Sequence, residues 1–87
     1  MIRILIVEDQ TIVCQGLKGL LDAQVDLEVI GEAENGAQAI EMALHFNPDV
    51  ILMDLRIPVM DGVTATQQLC DQIPGVKILV LTTLDED

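Results

Sequence analysis

The sequence predicts an α/β fold, a parallel sheet with helices packed on its faces. Three observations predict it. Four short apolar runs rich in β-branched residues recur about every 23 to 28 residues, the length of one βα unit. Those runs are continuously apolar rather than alternating, as suits strands covered on both sides. Between them lie stretches whose apolar residues recur at helical spacing, so strands and helices alternate as βαβαβαβ, and such connections give a parallel sheet.

The first run, Ile2 to Val7, ends at the acidic pair Glu8 and Asp9. Ile12, Val13, Gly16, Leu17, Leu20 and Leu21 follow at helical spacing and predict a helix with one apolar stripe. The second run spans Leu27 to Ala33. Asn35-Gly36 then signals a turn ahead of a second helix, whose apolar face is read as Ile40, Ala43 and Leu44 and which ends at Asn47-Pro48. The third run, Val50 to Asp54, closes on a carboxylate. A third helix carries Ala65, Leu69 and Ile73 and stops at Pro74-Gly75, and the fourth run covers Ile78 to Thr82.

Composition excludes several functions. The 87 residues carry fifteen acids against four bases, a formal charge of −11, and 51% of them are hydrophobic. One small domain is expected at this length. Nucleic-acid affinity rests on clustered Lys and Arg, so four scattered bases argue against DNA binding by these residues, and an anionic membrane surface is disfavoured for the same reason. No run approaches the roughly 18 apolar residues needed to span a bilayer. A cytoplasmic protein without a membrane partner is expected. Cys14 and Cys70 form no CxxC pair and are read as reduced, partly buried thiols. His45, near the end of the second helix, suits the helix dipole and is assigned no function.

The chemistry is expected at the carboxyl ends of the strands, where ligands bind in open α/β sheets. Glu8 and Asp9 follow the first strand and Asp54 ends the third; if those strands are neighbours, three carboxylates converge. Such a cluster calls for a proton or a cation. Oxygen ligands with room for water suit Mg²⁺, whereas zinc would want His or Cys nearby. A carboxylate beside Mg²⁺ is also a potential nucleophile towards phosphorus, and Asp54, alone at the end of a buried strand, is the better candidate. Each acid also has a plainer reading: Asp9 as a helix cap, Glu8 as a solvated side chain, Asp54 as a strand-end acid without a partner.

Four pieces in order, Val7-Glu8-Asp9, Asp54-Leu55-Arg56-Ile57-Pro58, Met60-Asp61-Gly62 and Thr82-Thr83, resemble a CheY-like response-regulator receiver domain. Gly31 to Ile40 and Leu79 to Asp87 are similar to the NarL/FixJ, LuxR-type transcriptional regulators. The resemblance implies a flavodoxin-like, doubly wound three-layer α/β/α domain, of which residues 1–87 would supply four of five strands. It implies that Asp54 accepts a phosphoryl group from a sensor histidine kinase. Mg²⁺ would be held by Asp9, Glu8, Asp54 and the backbone carbonyl of Arg56. Thr82 would be the switch hydroxyl, and Thr83 would govern access to the phosphoryl group. Pro58 would stiffen the loop and Gly62 would permit its turn into the third helix.

The same resemblance implies a fifth strand ending in a lysine, and a helix-turn-helix output domain; neither lies within these 87 residues. Lys18 and Lys77 are placed wrongly to substitute. The chain therefore reads as a receiver domain truncated before the fifth strand, not an enzyme, with DNA binding belonging to the absent output domain. The apolar edge at Ile78 to Thr82 is expected to pair or swap with a second copy. The alternative is a receiver-like interaction module that is not phosphorylated. A phosphoaspartate hydrolase is disfavoured because Arg56 stands where its second Asp belongs, and a flavodoxin-like nucleotide carrier because Glu8 and Asp9 would repel phosphate.

Overall fold

The computed structural model describes residues 1–54 and 62–81, and in them the strand and helix order is β1 Ile2–Val7, α1 Thr11–Asp22, β2 Leu27–Ala33, α2 Gly36–Phe46, β3 Val50–Asp54, α3 Gly62–Gln72 and β4 Lys77–Leu81. All pairings are parallel, and the sheet order is β2-β1-β3-β4. The chain runs outward from β1 to β2, then crosses back to β3 on the other side of β1. The order therefore reverses between β1 and β3, which is where a doubly wound sheet opens its crevice.

Alternate residues of β1 feed two cores. Leu5 and Val7 pack with Ile51 and Met53 against Ala39 and Ala43 of α2 and Ala65 and Leu69 of α3. Ile4 and Ile6 pack with Leu52 against Cys14 of α1, with Leu17 and Leu21 alongside. The small side chains of α2 let it sit close to the sheet. Gly31 takes this furthest: a Cβ there would lie 2.7 Å from the Met42 Cε. Beside it, the register between β1 and β2 slips after Ile4, leaving Ile30 as the extra residue of a bulge.

Two helix termini follow directly from the sequence. Asn35 caps α2, its side chain accepting the Gln38 N–H at 2.9 Å, and the Gln38 side chain in turn accepts the Glu34 N–H. Asn47 closes the same helix in the left-handed region at φ 51°, as Asn tolerates. At the end of α1, Asp22 accepts from Lys18 Nζ at 3.0 Å and from the Val29 N–H at 3.3 Å, which ties the helix to β2 and holds the Asp22 carboxyl below its usual range.

The sequence reading needs five corrections. Ile12 and Leu20 do not face the sheet; they are 84% and 70% exposed, and Val13 is exposed too. The residues that meet the sheet are Cys14, Leu17 and Leu21; Leu17 and Leu21 belong to the stripe read in the sequence, and Cys14 was not part of it. On α2, Leu44 is likewise exposed, and Ala39 and Ala43 are the buried pair. Lys77 is the first residue of β4 rather than its predecessor, paired with Val50. Cys70 is exposed, not partly buried, while Cys14 is buried. Full covering on both faces holds for most of β1 and β3; β2 and β4, at the edges of the described sheet, are only half covered.

The core beneath α1 and the outward row of α1 separate cleanly in a stability measurement. Ile6→Ala, in the fully buried β1 core, is expected to cost about 2–5 kcal/mol in urea unfolding. Ile12→Ala should stay within about 0.5 kcal/mol of the parent. A comparable loss from both would place Ile12 in the core after all.

Candidate functional site

The register Ile4 to Val7 against Val50 to Met53 sets the carboxyl ends of β1 and β3 side by side. The next side chains beyond those ends are acids. Carboxylate oxygens of Glu8, Asp9 and Asp54 all lie within 4.8 Å of one another. Glu8 and Asp54 are each only 5% exposed, and Asp9 is exposed. The plainer readings of these acids fail on this geometry. Asp9 does not cap α1, because the cap position is Gln10, which makes no side-chain cap hydrogen bond. Glu8 is not solvated, and Asp54 does not stand alone.

The local backbone explains how Glu8 is held. Its N–H donates to the Ala33 carbonyl at 2.9 Å, fastening the end of β1 to β2. Its Oε2 accepts the Gln10 N–H at 3.2 Å, which turns the carboxylate back over the start of α1. A backbone donor of this kind leaves no trace in residue type and cannot be read from sequence. Burial raises the Glu8 pKa above its ordinary value, the Gln10 N–H works against that rise, and a hydrogen bond with Asp54 and the charges of Asp54 and Asp9 add to it.

Three clustered oxygen donors, two of them buried, fit a hard divalent cation that keeps some of its waters. Among the described residues no His belongs to the group, which fits Mg²⁺ better than zinc. Cys14 lies closer than its sequence position suggests. Burial pushes its thiol up to about 11, helped by Glu32 and by the charge of Glu8. A thiol so held is a poor metal ligand and a poor nucleophile. Lys77 lies at the amino end of β4, opposite this cluster, and Lys18 is engaged by Asp22. Arg56, Pro58, Thr82 and Thr83 lie outside the described residues.

The fold and site together define a doubly wound parallel α/β domain with three clustered acids at its switch point. Residues 4–87 match the model of the response regulator receiver domain, and the chain belongs to that family. It is 47% identical over 87 residues to the transcriptional regulatory protein LiaR of Bacillus subtilis, covering 100% of this chain and 41% of that protein. It is 44% identical over 86 residues to the response regulator protein VraR of Staphylococcus aureus, covering 99% of this chain and 41% of that one. The chain thus spans about two fifths of the length of these relatives. Among solved structures, the response regulator domain of Thermotoga maritima CheB superposes with a TM-score of 0.91 at 32% identity, covering 100% of this chain and 64% of that chain. A LuxR-family two-component response regulator from Aurantimonas sp. SI85-9A1 gives 0.92 at 28% identity, covering 98% and 61%.

Two measurements probe the site's electrostatics. Because the folded-state pKa of Glu8 is raised, its favourable contribution is complete below the unfolded value and is lost as pH rises through the folded one. Glu8→Gln keeps the acceptor for the Gln10 N–H and removes the charge. In urea unfolding at pH 7 with chelator present it should stabilise the domain by roughly 1–3 kcal/mol, an advantage that shrinks below about pH 4. No gain at pH 7 would mean that the carboxylates do not repel. Separately, iodoacetamide at pH 8 should label Cys70 quickly and Cys14 only on unfolding, since about one Cys14 in a thousand is a thiolate there. Equal labelling rates would contradict the burial of Cys14.

Proposed function

We propose that this chain is the phosphoacceptor receiver domain of a LuxR-type two-component response regulator, phosphorylated on Asp54 by a sensor histidine kinase in a Mg²⁺-dependent reaction. One observation carries the proposal: the convergence of Glu8, Asp9 and Asp54 within 4.8 Å at the switch point of the sheet. In this reading Asp9 and Glu8 hold the cation with Asp54 and the Arg56 carbonyl. When bound, Mg²⁺ supplies neutralisation of the phosphoryl oxygens.

The remaining work falls to the chain itself. An Asp54 carboxylate oxygen attacks phosphorus in line; the O–P bond forms as the P–N bond to the kinase histidine breaks, and the imidazole nitrogen keeps the electron pair and takes a proton. Burial of Asp54, only 5% exposed, limits competing water. Thr82 then donates a hydroxyl hydrogen bond to the new phosphoryl oxygens and Thr83 governs access to them. The reading makes the chain a cytoplasmic signalling domain rather than an enzyme acting on a separate substrate. Its transcriptional output belongs to a helix-turn-helix domain elsewhere in a longer protein. No helix among the described residues is long and apolar enough to cross a membrane.

A second contact is proposed at β4. Leu79 and Val80 are 57% and 46% exposed, and β4 is an edge of the described sheet, so a second copy of these 87 residues pairs or swaps there.

The phosphoryl proposal is tested by incubating the full-length parent with acetyl phosphate and Mg²⁺. A hydroxylamine-labile mass gain of one phosphoryl group is expected, absent in Asp54→Ala and strongly reduced in Asp9→Asn. No gain, or a gain that survives Asp54→Ala, overturns the proposal and leaves an interaction module. For β4, light scattering of the 87-residue chain should show concentration-dependent dimers at low micromolar concentration, shifted to monomer by Leu79→Lys. A monomer with slowly exchanging Val80 amide would exclude the pairing.

A further inference from the structure

We draw no further inference here: the strongest candidate, the outward apolar face of α1 formed by Ile12, Val13 and Leu20, is an unpartnered helix face, and nothing in the structure shows what covers it.

Discussion

Strands β1 and β3 lie side by side and parallel, with Ile4 opposite Val50 and Val7 opposite Met53. That register does two things at once. It sends Leu5, Val7, Ile51 and Met53 into the core beneath α2 and α3, and Ile4, Ile6 and Leu52 into the core beneath α1. It also leaves Glu8 and Asp54 as the acids that emerge together at the carboxyl edge. A slip of one residue would exchange the two faces of β1 and drive its side chains into the wrong layers. The place where these acids emerge is therefore enforced by the aliphatic packing below them.

Packing has to supply that enforcement because the cluster opposes it. Two carboxylates that are nearly buried and within 4.8 Å of each other repel by about 3 kcal/mol when both are charged, taking an effective dielectric of about 20. Set against a net stability of about 5–15 kcal/mol for a domain, that is a substantial share. The repulsion is relieved either by a proton, as the raised pKa of Glu8 reflects, or by a cation. Receiver domains generally take the second route with Mg²⁺ at an acidic pocket, and the donor set here is of that kind.

Much of this was legible before any coordinates. The bounds of β1, β2 and β3 follow from their apolar runs, and the three glycine- or asparagine-marked turns, Asn35-Gly36, Asn47-Pro48 and Pro74-Gly75, fall at helix ends as expected. The face of α1 was legible only in part, Leu17 and Leu21 but not Cys14, for a specific reason. Its sequence holds apolar residues in two neighbouring helical rows, and periodicity cannot say which row meets the sheet. Contact with Ile4, Ile6 and Leu52 selects Cys14, Leu17 and Leu21 and leaves Ile12 and Leu20 in solvent. At the site, the three acids were visible as residues, but their convergence depended on β1 and β3 being neighbours. The hold of the Gln10 N–H on Glu8 is a backbone interaction that no residue type announces.

The opposite edge of the sheet shows how the fold divides its polar groups. At the amino ends of the strands, Asp49 accepts the Arg3 N–H at 2.9 Å through its side chain and donates its own N–H to the Arg3 carbonyl, also at 2.9 Å. Its carbonyl accepts the Lys77 N–H at 3.4 Å, and Arg3 Nη1 reaches the Asn47 carbonyl that closes α2. One acid thus links β1, β3 and β4, with every contact complementary. At the carboxyl edge the acids face one another and are complementary only to something positive. A change in charge at Glu8, Asp9 or Asp54 therefore acts on an edge already under repulsion, while the amino edge, pinned through Asp49, holds the register of the central strands.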